Sequence, residues 1–357
     1  MTMTTFLCYI PDQLVVLCLL VLVNRVQFAY GLSNHHHPSD RRSFFAESTQ
    51  KTTAAALLAG SSSSLLIKHP RVSLAAETTL TGPKAGGLAT QLAKKDPSAL
   101  KNKIFNIPPS LQTYPSWMEG TWKITSRFAG YLFPSKTIPK DQILQDFVVP
   151  GFQKCSIAAT ADVGKEQVQY DMRIIPTNNN NNKKEPLFVE DRSFNFQSSI
   201  NAYLGYGAVQ QVLYDGSKNP NRLGIDFVDY RTINAERIEL FCNARESESY
   251  SIPTTTTTTT NDASTTNDNS SNNTYQRIFV ASEHVKQVTF GTGSTQGVPR
   301  QVGTNYGLYW TWKDQGPNRI SGNLLVAGYL DPQDSLYFQE PTDPVVVYSH
   351  QLSGVRI

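Results

Sequence analysis

The fold is decided at residues 120–128, which read Gly120-Thr121-Trp122-Lys123-Ile124-Thr125-Ser126-Arg127-Phe128. Side chains alternate between the two faces of a β-strand, so every second residue from Trp122 to Phe128 lies on the same face. That face is mostly apolar, whereas the other face carries Lys123, Thr125 and Arg127. The alternation therefore predicts a strand that buries one face and exposes the other.

The same period of two recurs along the rest of the chain. Ile238, Leu240, Cys242 and Ala244 share one face of residues 237–245, with Arg237, Glu239, Asn243 and Arg245 opposite, and Leu308, Trp310 and Trp312 share one face of residues 308–313. Similar runs occupy residues 143–149, 166–175, 208–214, 223–230, 275–290, 320–330 and 345–355, and residues 195–204 form a short helix or turn. Because a closed sheet removes exposed edges, about ten sequential strands predict an all-β, up-and-down antiparallel β-barrel.

Two low-complexity tracts interrupt the predicted barrel domain, residues 106–357. Residues 177–184 contain five consecutive asparagines, and residues 254–274 contain a threonine run followed by Asn, Asp and Ser. Neither tract can bury apolar surface, so we expect flexible surface insertions. The closure entropy of a loop rises only slowly with its length, so the strands on either side of each tract should still pair.

The first 76 residues read as targeting signals in series, and we expect them to be disordered. Residues 14–23 are apolar but too few to span a bilayer, which takes about twenty residues, so a permanent anchor is the weaker alternative. Arg41-Arg42 is a twin-arginine signature, and Ser73-Leu74-Ala75-Ala76 is a small-x-small cleavage pattern. Two signals indicate a nested compartment. Their arrangement resembles that of proteins of algal plastids of secondary origin, which implies the thylakoid lumen as the destination. Residues 77–105 are expected to be a flexible lead-in.

Charge and cysteine content narrow the class of protein. Residues 1–76 hold six of the 32 Lys and Arg and three of the 29 Asp and Glu, so the remaining chain carries 26 of each. A neutral balance predicts neither a nucleic-acid partner nor an anionic lipid surface.

Cys155 and Cys242 remain after processing. They can form a disulfide or be two small buried side chains, and two cysteines are too few for a metal cage of their own.

The chain carries two family resemblances. Gly120-Thr121-Trp122 on the opening strand resembles the lipocalin and fatty-acid-binding-protein class, which implies that Trp122 closes the barrel floor against a basic residue of the last strand, here Arg356. Residues 106–357 are similar to an uncharacterised domain-of-unknown-function family of cyanobacteria and photosynthetic plastids, which implies a lipocalin-like barrel and no particular activity. The segments that carry this second resemblance are Tyr114–Trp117, Glu119–Trp122, Glu190–Asn195, Asn219–Arg222, Ser282-Glu283 with Gln287, and Tyr329–Pro332.

Candidate site residues fall into structural and binding sets. Asp191 and Arg192 are expected to form a structural ion pair at a strand-to-helix corner, and Asn219–Asn221 to form a turn. Glu283 and His284 should lie on opposite faces of one strand, so they cannot act together. The sequence contains no Ser-His-Asp order, metalloprotease motif, phosphate loop or dinucleotide fingerprint, so no catalytic residue and no cofactor are predicted.

The tryptophans favour ligand binding. We expect Trp310, Trp312 and Leu308, with Ile238 and Leu240, to line a barrel interior that binds a small hydrophobic molecule such as a lipid or pigment. An assembly factor for a photosynthetic complex and a lipocalin-like enzyme remain alternatives. A binding protein should have a cavity beside Trp310 and Trp312. An assembly factor should have a filled barrel with an apolar patch outside, and an enzyme should bring two titratable side chains together in the cavity.

The targeting interpretation is testable. If both signals are removed, the mature protein begins near Ala76 and has no permanent membrane anchor. N-terminal sequencing of the protein isolated from its native organism measures this start. A protein that keeps residues 14–23 and fractionates with membranes would contradict the interpretation.

Overall fold

The computed structural model describes residues 82–102, 109–145, 157–159, 165–177, 186–232, 235–254, 274–291 and 301–357. Several features predicted from the sequence lie outside these residues: the targeting segment, Cys155, the asparagine tract and most of the threonine-rich tract. The strands that flank both tracts do pair, with Thr177 opposite Leu187 and Thr254 opposite Thr274.

Ten strands and three helices make up the described part of the chain. The strands are β1 (Gly120–Leu132), β2 (Gln167–Thr177), β3 (Leu187–Glu190), β4 (Val209–Leu213), β5 (Arg222–Phe227), β6 (Arg237–Thr254), β7 (Thr274–Phe290), β8 (Gln301–Asp314), β9 (Arg319–Tyr329) and β10 (Val346–Arg356). The helices are α1 (Leu88–Ala93), α2 (Lys140–Gln145) and α3 (Arg192–Leu204), with short 3-10 turns at Pro97–Leu100, Ser116–Met118, Ile157–Ala159 and Tyr337–Gln339.

The strands form one antiparallel sheet whose order is β3-β2-β1-β10-β9-β8-β7-β6-β5-β4. Each strand from β4 to β10 pairs with the next one along the chain, and β10 then returns to pair with β1. The predicted all-β class and a sheet of about ten antiparallel strands are confirmed. The strand predicted at residues 143–149 is wrong over residues 143–145, because these belong to helix α2, and β3 is a strand that alternation did not predict.

The sheet is a half-barrel rather than the closed barrel that we expected. Its edges are β3 and β4, which are consecutive in the chain but do not pair. The reason lies in their connection, because the 13-residue helix α3 runs between them where a short turn would have joined two paired strands. Helix α3 packs against β2 and β4, and so lies at the opening.

Strand β1 has the predicted alternation. Trp122, Ile124 and Ser126 are buried on the concave face, while Lys123 and Arg127 are exposed. In β8, by contrast, the four consecutive residues 306–309 are all buried, because both faces of the sheet are covered there.

The outer cover of the sheet is the described part of the expected lead-in, residues 82–102. Leu88, Ala89 and Leu100 are buried against the outer face, in a cluster that includes Tyr309 and Tyr329. Glu248 of β6 fixes this segment by accepting a hydrogen bond from the backbone N–H of Ala89 at 3.2 Å. Tyr329 donates its hydroxyl proton to the carbonyl oxygen of Leu100.

Two contacts fix the position of the Trp122 side chain. Its Nε1 donates to the Met118 carbonyl oxygen at 2.9 Å, and the Arg356 guanidinium carbon lies 4.6 Å from the ring centroid. Gly120 has a φ of +111°, and a side-chain Cβ there would lie 3.4 Å from Arg356 Nη1. A glycine therefore suits both the backbone conformation and the close approach of the guanidinium.

None of the helices within the described ranges is long and apolar enough to cross a membrane.

Trp122 should be a major contributor to stability. Its side chain is 1 % exposed, and truncating a fully buried aromatic costs about 3–5 kcal/mol. We expect Trp122→Ala to lower the free energy of unfolding by this amount in urea denaturation. Tyr230→Ala is the control, because Tyr230 is 100 % exposed and its truncation should change stability by less than about 0.5 kcal/mol. Equal losses for the two variants would contradict the role of Trp122.

Candidate functional site

The concave side of the sheet contains a cavity of about 80 Å³. Side chains of two kinds line it. The apolar lining comes mainly from β7, β8 and β9, and comprises Phe279, Ala281, Leu308, Trp310, Trp312 and Leu324, with Met172, Ala158 and Ala159. The polar lining comprises Tyr114, Tyr170, Glu190, Arg192, Asn195, Ser199 and Glu283.

Three of the five residues proposed to bind a ligand line this cavity: Leu308, Trp310 and Trp312. Trp312 is 3 % exposed and Trp310 is partly buried. Ile238 and Leu240 are buried in the same hydrophobic core but do not line the cavity. Leu240 borders a smaller space beside Arg192 and Arg245, so β6 contributes to the core next to the charged side of the interior.

A buried carboxylate lies at the polar end of the cavity. Glu283 of β7 accepts two hydrogen bonds from Arg192, Nη1 to Oε1 at 2.7 Å and Nη2 to Oε2 at 3.0 Å. Arg245 Nε donates to the same Oε1 at 2.7 Å. The side chains of Glu283 and Arg245 are 4 % and 3 % exposed. Buried charges are tolerated when they are paired and hydrogen-bonded, and this carboxylate satisfies both conditions.

Arg192 reaches Glu283 because it is the first residue of α3. Asp191 caps the helix by accepting a hydrogen bond from the Phe194 N–H at 3.2 Å. The other Asp191 oxygen accepts a hydrogen bond from Arg173 Nε at 2.9 Å. The expected pair between Asp191 and Arg192 is therefore wrong in its partners. Neighbouring residues at the helix start point to different partners, since Asp191 binds β2 and Arg192 binds β7.

Arg245 connects the carboxylate to a turn. Its Nη1 donates to the Ser110 carbonyl oxygen at 2.8 Å, and its Nη2 donates to the Pro220 carbonyl oxygen at 3.4 Å. Asn219 Oδ1 accepts a hydrogen bond from the Asn221 N–H at 3.2 Å, which confirms the predicted turn at residues 219–221. The turn also supplies an acceptor for a buried guanidinium, a role that its sequence did not indicate.

A β-bulge explains why the sequence did not reveal Arg245. Simple alternation along residues 237–245 places Arg245 opposite Ile238 and Leu240. The pairing of β6 with β7 shifts between Cys242 and Ala244, so Arg245 lies directly across from Glu283. The extra residue moves the side chains that follow it to the other face of the sheet. Arg245 thereby enters the interior.

Glu190, at the end of β3, is the second carboxyl group of the site. Asn195 Nδ2 donates to its Oε1 at 3.1 Å, and the Tyr114 hydroxyl donates to its Oε2 at 3.5 Å. Arg192 Nη1 lies 3.9 Å from Oε2. Burial raises the pKa of Glu190, and Glu283 raises it further, although Arg192 opposes both effects.

The pKa of Glu283 shifts in the opposite direction from that of Glu190. Burial favours its neutral form, but Arg192 and Arg245 outweigh burial and lower the pKa of Glu283 to about 2. Glu283 is therefore ionised at neutral pH, whereas Glu190 is the carboxyl group that more readily binds a proton. Protonated Glu190 can donate a hydrogen bond into the cavity, and ionised Glu190 can accept one.

One hydrogen-bond donor of Arg192 is unused among the described residues. Its side chain is 8 % exposed. Its Nε is buried and has no hydrogen-bond acceptor within the part of the chain that the structure describes. Arg192 also lines the cavity. A polar ligand atom or a water molecule beside the guanidinium would satisfy this donor.

The remaining sequence candidates lie away from the cavity. His284 faces the outer side of the sheet, where its Nε2 lies 3.3 Å from the Tyr309 hydroxyl, so the predicted separation from Glu283 is confirmed. Cys242 is buried and has no disulfide partner among the described residues, and burial raises the pKa of its thiol to about 12. Its pairing with Cys155 stays a prediction, because Cys155 lies outside the described residues. No group of three or more His, Cys, Asp or Glu within the described ranges is arranged to hold a metal ion.

Comparison with known proteins identifies one family. Residues 108–356 match the family described as a domain of unknown function, DUF6816. No curated protein and no solved structure matches the chain. Three of the segments on which the sequence resemblance rested, Glu190–Asn195, Asn219–Arg222 and Ser282-Glu283, meet at the buried charge cluster through the contacts of Arg192 and Arg245.

Glu283 should be essential for stability, and its contribution should depend on pH. Glu283→Gln leaves two buried guanidinium groups without their carboxylate, so we expect a loss of about 3–5 kcal/mol in the free energy of unfolding at pH 7. Because the folded-state pKa lies below the ordinary value of 4.5, this stabilisation is present above pH 4.5 and is lost as the pH falls towards about 2. The stability difference between wild type and variant should therefore shrink in acid.

Urea unfolding as a function of pH measures this difference. Asp171→Asn is the control, because Asp171 pairs with Lys123 at 3.8 Å on the surface, where an ion pair contributes about 0–1 kcal/mol. A Glu283→Gln variant as stable as Asp171→Asn at neutral pH would show that the buried cluster does not stabilise the fold.

Proposed function

The chain belongs to the DUF6816 family, and we propose that its domain is a non-catalytic module that binds a small amphiphilic molecule. The observation that carries the proposal is the two-sided lining of the interior cavity. Trp310, Trp312 and Leu308 provide an apolar wall, while Glu190 and Arg192 provide hydrogen-bonding groups at the other side. Ligand sites in proteins commonly combine apolar walls with a few polar groups that fix orientation.

The polar side of the site suits a hydroxyl or carbonyl group better than a fully apolar molecule. Arg192 Nε has a free hydrogen-bonding direction among the described residues, and Glu190 can donate or accept according to its protonation. An apolar ligand would leave Arg192 Nε without an acceptor, which costs free energy in a buried site. The ligand should therefore place its apolar part against the indoles and its polar atom towards Arg192 or Glu190.

The volume of the interior cavity limits the size of the ligand. About 80 Å³ is available, whereas an apolar cavity that admits benzene has a volume of ~150 Å³ and most ligand pockets have about 300–1,000 Å³. A whole pigment or lipid does not fit. A small molecule, or the end group of a larger one, matches the space when side chains at the partly exposed mouth, such as Phe196 and Ser199, adjust.

The arrangement of carboxyl groups in the cavity does not favour the enzyme alternative. Glu190 and Glu283 do approach the same cavity, but Glu283 is held by two guanidinium groups. Its low pKa makes it a weak base, and Glu190 then has no second titratable carboxyl group with which to divide acid and base roles. We therefore retain binding as the proposal.

The fold and the location complete the proposal. We infer a lipocalin-like barrel in which α3 replaces the strand pairing between β3 and β4, supported by the stacking of Arg356 on Trp122. The signals in residues 1–76 support a site of action in the thylakoid lumen of a plastid. An association with a photosynthetic complex is compatible with this location.

The binding proposal predicts a preference for an amphiphile over a hydrocarbon of similar size. Phenol should bind more tightly than toluene, because only phenol can hydrogen-bond with Glu190 or Arg192. Saturation-transfer NMR with the full chain measures both probes under the same conditions. Ser199→Leu should weaken phenol binding at least tenfold, since Ser199 lines the cavity and a larger side chain would fill it.

Gln197→Leu is the matched control, because Gln197 lies on the exposed face of the same helix. This variant should bind phenol like wild type. Equal affinity of wild type for phenol and toluene would contradict the proposed hydrogen bond between the ligand and Glu190 or Arg192. Unchanged phenol binding in Ser199→Leu would place the binding site elsewhere.

A further inference from the structure

A second and larger cavity lies on the outer face of the sheet. Its volume is about 530 Å³, which falls within the usual range of about 300–1,000 Å³ for ligand sites. Its apolar lining comes from the covering segment and from β1, β9 and β10: Leu92, Pro97, Ala99, Leu100, Tyr131, Leu132, Leu325 and Val347. We call this space the outer groove. It is separate from the interior cavity, because Val347 lines it while the next residue, Tyr348, belongs to the interior core.

A bulge in β1 helps to create the outer groove. The pairing of β1 with β10 shifts between Phe128 and Gly130, and Gly130 has a φ of +131°. Ala129 and Gly130 line the groove at this point, and no atom lies within 4 Å of the position that a Gly130 Cβ would occupy. Small side chains thus leave space between the strand and the covering segment.

The open end of the groove exposes apolar side chains. Tyr131 and Leu132 are 48 % and 55 % exposed, and they follow each other at the end of β1. Exposed apolar surface beside a groove marks a place where another molecule can bind. The volume and the apolar lining fit a flexible apolar chain.

Exposed lysines lie at and beside the same groove. Lys95 lines it, and Lys140 Nζ lies 5.9 Å from the ring centroid of Tyr131. The Ser98 hydrogen bonds, with smaller contributions from Lys136 and Lys94, lower the pKa of Asp96, which also lines the groove. Lys94, Lys95, Lys136 and Lys140 are all exposed, and the Asp96 carboxylate already accepts a hydrogen bond from the Ser98 N–H at 2.9 Å.

We propose that the outer groove binds one acyl chain of an anionic phospholipid whose head group contacts the surrounding lysines. The apolar lining matches the chain, and the lysine excess matches the charge of the phosphate. The neutral balance after residue 76 is an average over the whole domain and does not describe the lysines beside one groove. The proposal does not depend on the interior cavity.

Cross-link mapping tests the proposal with the full chain. Phosphatidylcholine vesicles would contain a phosphatidylglycerol whose acyl chain carries a diazirine, and photolysis would label the residues that the chain contacts. Peptide mass spectrometry should locate the labels in residues 92–100 and 129–132. The position of the label is the essential measurement, because the apolar residues 14–23 can themselves contact lipid.

Charge-reversal variants test the head-group contact. Lys95→Glu combined with Lys136→Glu should lower labelling of the groove more than about tenfold, since each lysine near an anionic surface contributes on the order of tenfold or less to binding. Lys123→Glu combined with Lys218→Glu changes the net charge equally, at lysines that pair with Asp171 and Asp215 away from the groove. This control should leave groove labelling within about twofold of wild type.

Leu132→Gln tests the apolar contact and should also reduce labelling of the groove. Three results would overturn the proposal: labels confined to other segments, equal labelling by a diazirine phosphatidylcholine, or equal loss in the two charge-reversed variants. Circular dichroism of each variant verifies that the sheet is retained, so that a loss of labelling reports on the groove.

Discussion

The buried carboxylate of Glu283 is the interaction on which the arrangement of the interior depends. It joins the start of α3 through Arg192 and the β6 bulge through Arg245, which in turn holds Ser110 and the turn at Pro220. These parts are far apart in the sequence, so one buried charge cluster holds several distant segments of the chain together. Removing water from charges is costly, and the cost is recovered only if every partner keeps its geometry. The cluster therefore favours one arrangement of the helix relative to the sheet.

That arrangement explains how the sheet can remain a half-barrel. Open sheets expose unpaired backbone groups at both edges, and proteins limit this exposure with short edge strands or by covering them. Here the edge strands β3 and β4 are four and five residues long, and α3 connects them. Glu283 anchors the first residue of that helix, while Asp191 anchors its cap to Arg173. The charge cluster thus stabilises the element that lies at the opening.

Local rules predicted the parts of this structure that depend on neighbouring residues. Alternation placed Trp122 and Trp312 on buried faces, and the turn preference of Asn and Pro placed Asn219–Asn221 in a turn. The same rule failed at Arg245, because a single inserted residue in β6 reversed the faces beyond it. It could not reveal the partners of Arg192, since Glu283 lies 91 residues away in the chain. The opening of the barrel was hidden for a similar reason, because periodicity identifies strands but does not show which two edges fail to pair.

The two faces of the sheet then divide the chemistry of the domain. On the concave face, charges are buried, few and compensated, and they border a small cavity. On the outer face, residues 82–102 cover the middle of the sheet and leave a wider groove beside exposed lysines, where charge is screened by solvent. Net charge averages these two environments and therefore describes neither. One sheet thus carries two spaces of different chemistry, because the covering segment adds buried area on the outer face and leaves an apolar groove beside it.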